Sequence, residues 1–203
     1  MAKFQLLTYS RLSNGEILRK AIHISGFAVP LICFQLSDAR FIFTALFLVT
    51  IVYAASEIAR TKGTNFPVFS TITRKAAEPN PESNRFVTAP ISFATGILLT
   101  LLIFPTHIAH ASIAVLTLGD GFACILGRIF GKTPLFFNKK KKLEGTICGF
   151  TCAFVGATLF VSPLKALVAA GAGMLVECLP THIDDNLVIP LTAGTALILF
   201  TSF

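Results

Sequence analysis

Long stretches without a charged residue organise this chain of 203 residues. They run from Ala21 to Ser37, Phe41 to Ser56, Phe86 to Gly119, Gly145 to Leu164 and Asn186 to Phe203; a further one, Ala166 to Ile183, is broken only by Glu177. A helix needs about 20 mostly apolar residues to cross the hydrocarbon core of a bilayer. The 34 residues from Phe86 exceed one crossing. Phe104-Pro105-Thr106-His107 supplies the turn within them, because proline and polar residues punctuate helices. Seven spans are therefore predicted, at roughly 17–36, 40–58, 87–104, 108–128, 146–162, 165–179 and 186–203. The expected fold is all-α, a polytopic membrane helical bundle. It is read as a single integral membrane domain over 1–203, with cytoplasmic loops at about 60–86 and 129–145.

Composition points the same way. Hydrophobic residues make up 54% of the chain and charged residues 13%, against roughly a quarter charged in soluble domains. Mean hydropathy is +0.75. These values exclude a disordered chain, a coiled coil and an ordinary soluble enzyme. Orientation follows from Lys and Arg, which are in excess in cytoplasmic loops. Four bases precede or open the first span, five follow the second and six follow the fourth. So 15 of the 17 share one side, and only Arg40 and Lys165 lie on the other. The N-terminus is then cytoplasmic. This asymmetry accounts for the net charge of +7, and no nucleic-acid partner is expected. No cleaved signal peptide is expected either, since no apolar core precedes a small-residue site near the start. The five cysteines all fall in predicted spans. Cys148 and Cys152 share a helix face but lack a CxxC partner or a histidine at zinc-site spacing, and are read as buried apolar thiols.

Against this background the ionisable residues within the spans stand out, because charge there is costly and usually functional. Arg19, Lys20 and His23 open the first span, and Glu57 and Arg60 close the second. Asp120 lies in the cytoplasmic half of the fourth span, Glu144 precedes the fifth and Glu177 ends the sixth. Asp184, Asp185 and Asn186 open the seventh. In the predicted topology all of them face the cytoplasmic third of the membrane. Snorkelling explains Arg19, Lys20 and Arg60 taken singly. It does not explain Asp120 and Glu177, which are short and acidic within apolar sequence.

Several of these groups admit two readings. Asp120, Ala123, Gly127 and Gly131 recur along one helical face. That face either packs tightly through small residues or carries a ligand along the backbone below a carboxylate. Lys139 to Lys142 either hold phosphates as point charges or anchor the loop to the cytoplasmic surface. Asp184-Asp185-Asn186 offers oxygen ligands suited to magnesium or an N-cap for the seventh span. Gly127-x3-Gly131-Lys132-Thr133 is one residue short of a P-loop and follows a membrane helix instead of a strand. In the proline-containing loop over 60–86, Phe66 to Ala77 is expected as a short interfacial helix.

Leu118-Gly119-Asp120-Gly121-Phe122-Ala123, then Gly127, Gly131, Lys141 and Leu143-Glu144-Gly145-Thr146, resembles a family's CTP-binding signature. The family is that of dolichol kinases, phytol kinases and CTP-dependent diacylglycerol kinases. Arg19-Lys20-x-x-His23 resembles its opening motif, and Glu57-x-x-Arg60 the motif that ends its second span. Glu177 with Asp184-Asp185-Asn186-Leu187-x-Ile189-Pro190 resembles its closing motif. The four motifs occur in the family's order and cover about 19 to 190. Pro134-Leu135-Phe136-Phe137 stands where some members carry a further lysine.

The resemblance implies transfer of the γ-phosphoryl group of CTP to the hydroxyl of a membrane lipid alcohol, a polyprenol, prenol or diacylglycerol. It implies Mg²⁺ held by Asp120 and Asp185, with Asn186 assisting. Arg19, Lys20, His23, Lys141 and Lys142 would surround the triphosphate. Gly119, Gly121, Gly127, Gly131 and Gly145 would let it approach the backbone. Either Asp120 or Glu144 would accept the proton of the lipid hydroxyl. The alternatives are a CTP:lipid cytidylyltransferase of the phosphatidate cytidylyltransferase type and a transporter, since intramembrane acids also serve ion pathways. So small a member is expected in a bacterial or archaeal cytoplasmic membrane, with its active face cytoplasmic.

Overall fold

The computed structural model describes residues 14–36, 40–64, 71, 73 and 86–202. Helices stand at each of the predicted positions. α1 (Asn14–Ser25) and α2 (Ala28–Gln35) form one column bent at Gly26-Phe27. α3 covers Arg40–Thr61. α4 (Ala89–Ile103) carries Pro90 in its first turn, where a missing N–H is harmless, and stops at the extended Phe104. After Pro105, α5 (Thr106–Ala114) runs into a π-helical turn (Val115–Asp120) and on into α6 (Gly121–Phe130). α7 (Leu143–Ala157), α8 (Pro163–Cys178) and α9 (Asp185–Thr201) complete the order. The expected helix over 66–77 lies outside the described residues apart from Thr71 and Thr73.

Gly15–Gln35, Arg40–Thr61 and Thr106–Phe130 are long and apolar enough to cross a membrane; Ala89–Ile103, Leu143–Ala157 and Asp185–Thr201 are shorter apolar helices. Fifteen residues, the length of α4 and α7, rise only about 22 Å at 1.5 Å per residue. Such helices leave their ends, and the polar groups on them, within the thickness of a bilayer.

The column of α5, the π turn and α6 is central. α7 packs along the π turn and α6, α8 on α7, and α9 on α8, α4 and α5. α1 lies against α6, and α3 mainly against α4. The core is built from Ile113, Val115, Leu116, Ile189 and Leu197 among many alanines, including Ala111, Ala153, Ala166 and Ala169. Small residues let helix backbones approach where no hydrophobic force acts between helix and lipid. The outer surface is apolar as well: Phe41, Leu48 and Leu102 are exposed, as suits side chains facing acyl chains.

The small-residue face that starts at Asp120 serves this packing. A Cβ added to Gly145 would stand 2.5 Å from the Ala123 carbonyl oxygen and 2.6 Å from Gly127 Cα. Here α6 and α7 cross backbone to backbone, with no flexible side chain to yield. Gly145→Ala is therefore expected to destabilise the bundle by about 1–3 kcal/mol, the usual effect of overpacking. Thermal unfolding in detergent reads this, and an unchanged melting temperature would show that the crossing opens freely.

Candidate active site

The polar residues left at the helix ends meet around one cavity of about 1770 Å³. Asp120 ends the π turn and is buried, 5% exposed. A π turn is wider than an α turn, is common at functional sites and disturbs the regular backbone ladder. Here the Leu116 carbonyl accepts a hydrogen bond from His23 Nε2 at 3.1 Å. A carbonyl can only accept, so Nε2 carries the proton. The same nitrogen lies 3.3 Å from Asp120 Oδ2, and Lys20 Nζ donates to that oxygen at 2.6 Å. Lys20 and His23 are three residues apart on α1 and so face one carboxylate. Gly121 allows the approach, because a Cβ there would stand 2.5 Å from Ile24 Cγ1 on α1. A buried carboxylate is tolerated only with such partners.

A second cluster centres on Lys141. The loop between α6 and α7 folds back on itself, with Leu135 N–H bonded to the Lys141 carbonyl at 3.1 Å and Leu143 N–H to that of Thr133 at 2.9 Å. The Asn138 amide ties it to the Cys178 carbonyl at the end of α8, at 3.1 Å. Lys141 Nζ then donates to Glu177 Oε1 at 2.5 Å and to Asp185 Oδ2 at 3.3 Å. Burial alone would lower the Lys141 pKa; Glu177, Asp120 and Asp185 outweigh it and hold the ammonium above the usual lysine range. Thr181 donates to the other Asp185 oxygen at 3.3 Å. Asp184 Oδ1 accepts the Asn186 N–H at 3.0 Å, so Asp184 is the N-cap of α9.

A third cluster joins α3 to the start of α4. Arg60 grips Glu57 with two hydrogen bonds, at 2.9 and 2.6 Å, and both side chains are buried. Glu57 Oε1 also accepts the Val87 N–H at 2.7 Å.

Arg19, Lys20, His23, Asp120, Gly127, Gly131, Lys141, Lys142, Asp185 and Asn186 all line the cavity. Gly119, Gly121, Glu144 and Gly145 are not among its lining residues. Gly119 packs against Met174 and Ala153, and Gly145 against Ala123 and Gly127. The Glu144 carboxylate accepts the Thr133 N–H at 3.0 and 3.2 Å, bracing the base of the lysine-bearing loop. Glu177 stood out in the sequence as an isolated acid in an apolar helix, yet only the fold pairs it with Lys141. The Glu16–Arg128 pair, at 2.7 Å, had no signal in the sequence. Among the described residues no three His, Cys, Asp or Glu side chains group closely enough to hold a metal ion by themselves.

Known proteins are similar to this chain over nearly its whole length. The Triticum aestivum protein named "Probable phytol kinase, chloroplastic" is 26% identical, over 98% of this chain and 72% of its own length. The farnesol kinase of Arabidopsis thaliana is 30% identical, over 90% of this chain and 65% of its own. CTP-dependent diacylglycerol kinase 1 of Schizosaccharomyces pombe is 29% identical, over 95% of this chain and 97% of its own. No family model and no solved structure matches the chain. These relatives come from plants and fission yeast and give no support to the expected bacterial or archaeal membrane.

Proposed function

We infer that this chain, which belongs to the family of phytol, farnesol and CTP-dependent diacylglycerol kinases, is a CTP-dependent lipid-alcohol kinase. It passes the γ-phosphoryl group of CTP to the hydroxyl of a membrane lipid alcohol. The observation that carries this reading is a single cavity, at the ends of apolar helices, where a lysine-rich wall meets buried carboxylates. A water-soluble nucleotide and a membrane-bound alcohol can meet only at such a depth. With most bases on one side by sequence, that end of the bundle is the cytoplasmic face.

Phosphoryl transfer asks chiefly for positioning and charge neutralisation. Lys20, Lys141 and Lys142, with Arg19, supply positive charge around the cavity for a triphosphate. Asp120 and Asp185 fit magnesium, which takes one or two protein carboxylates and completes its shell from phosphate oxygens and water. Such a site would not require three clustered protein ligands, and none are grouped among the described residues. Mg²⁺ bound there would neutralise charge on the phosphates. Of the two acids suited to accept the hydroxyl proton, Asp120 is the one on the cavity, while Glu144 braces Thr133.

The test is purified protein with Mg²⁺, lipid alcohols (farnesol, phytol, diacylglycerol) and CTP labelled on the γ-phosphate. Label in the lipid is expected, with CDP released. Label confined to pyrophosphate, with cytidine joined to lipid, would overturn the kinase reading for a cytidylyltransferase.

A further inference from the structure

The residues lining the cavity differ in chemistry from element to element, although Ile22, Pro134 and Ile183 are apolar among the charged residues and Thr73 is polar beside Tyr53. The start of α1, the loop between α6 and α7, and the segment before α9 bring lysines, arginines and carboxylates. α3 and the start of α4 bring Tyr53, Val87, Ala89, Pro90 and Phe93. His23 stands on the divide. Its ring centroid lies 4.4 Å from that of Phe93, and its Nε2 lies 3.3 Å from Asp120. Such a cavity suits two ligands end to end, one polyanionic and one a long apolar chain with a single polar end. A nucleotide needs no apolar wall of this extent, and a lipid tail needs no lysines.

The apolar wall is held in place. Val87 N–H is fixed by Glu57, itself locked by Arg60, and Tyr53 Oη lies 3.5 Å from the Val87 carbonyl and 3.4 Å from Thr73 Oγ1. Two residues on, α4 begins with Ala89 and Pro90. Proline there removes an N–H that an apolar wall could not satisfy. Phe93 in turn lies over the bend between α1 and α2, where a Cβ on Gly26 would stand 2.5 Å from Phe93 Cζ. These contacts absorb the Glu57-x-x-Arg60 motif, for which the phosphate chemistry has no use.

We propose that the apolar half of this cavity is the acceptor subsite, in which the chain of the lipid alcohol lies against Tyr53, Val87, Pro90 and Phe93 and its hydroxyl reaches Asp120 beside His23. Glu57 is then a positioning residue for the subsite wall. The proposal rests on the kinase reading and adds where the acceptor binds.

Two experiments test it. Ala89→Leu puts bulk into the cavity at the first residue of α4. It is expected to raise KM for farnesol about tenfold or more, with KM for CTP within about twofold. Glu57→Gln is expected to raise the lipid KM while kcat at saturating lipid is retained. Separately, a farnesol analogue carrying a diazirine on its tail is photolysed on the wild-type protein and the adducts are mapped by mass spectrometry. Adducts at Tyr53 or within 87–93 are expected, reduced by Ala89→Leu. Adducts confined to 131–142 or 181–186 would overturn the subsite, as would an Ala89→Leu protein whose CTP KM rises while its lipid KM stays. A wild-type protein that labels no alcohol from γ-labelled CTP defeats the kinase reading itself. An active wild type with adducts elsewhere defeats only the subsite.

Discussion

Asp120→Asn is expected to lower γ-phosphoryl transfer about 10³-fold or more, the scale on which preorganised charge acts in phosphoryl transfer. The change keeps size, removes the charge and turns one acceptor oxygen into an NH2 donor. Oδ2 of Asp120 already holds Lys20 at 2.6 Å and His23 at 3.3 Å, so the carboxylate organises a cation and a histidine, and on the proposed reading it would also hold magnesium. An amide does none of these well. It also leaves the Lys20 ammonium without its anion in a site where the Lys20 side chain is only 12% exposed. Removing one partner of a buried pair destabilises by about 3–5 kcal/mol, so lost activity alone is ambiguous. The double variant Asp120→Asn with Lys20→Met separates the effects: it is expected to regain thermal stability and no activity. A single variant that is folded and as active as wild type would remove Asp120 from the mechanism.

Asp120 also shows what the sequence could and could not reveal. Its oddness was plain, because a short acid in an apolar stretch has no cheap explanation there. The helices were legible for the same reason in reverse: charge-free stretches forecast every column but α8, whose stretch is broken by Glu177, and Pro105 marked the turn between α4 and α5. Helix spacing alone did not separate the two readings of the glycine-rich face. Gly127 shows why, since it both lines the cavity and lies 3.2 Å, from an added Cβ, to Gly145 Cα. The π turn was hidden, because a single wide turn leaves hydropathy unchanged while shifting the face on which every later residue falls. Pairings across the bundle were hidden too. Lys20 and Asp120 are 100 residues apart, and Arg128 and Glu16 are 112 apart, so only packing brings them together. Asp184 and Asp185 look alike in sequence, yet one caps a helix while the other faces Lys141.

That lysine is the second place where a large effect is expected. Lys141→Met should reduce kcat/KM for CTP about 10²–10³-fold, as loss of one charge-stabilising donor does. The neighbouring lysines make the prediction sharp. A run of four invites the view that they act together as a diffuse positive surface, in which case each contributes a little and none is special. The fold gives them different positions. Lys141 is drawn in between Glu177, 1% exposed, and Asp185, whereas Lys139 is exposed and is not among the lining residues. Lys139→Met is therefore expected to remain close to wild type under the same assay. Stability needs its own control, because methionine leaves Glu177 buried without a cation. Lys141→Met with Glu177→Gln should recover the melting temperature while transfer stays low. If Lys139→Met and Lys141→Met fell equally, the lysines would be a surface field, and the ion-paired geometry around Lys141 would have no part in binding the nucleotide.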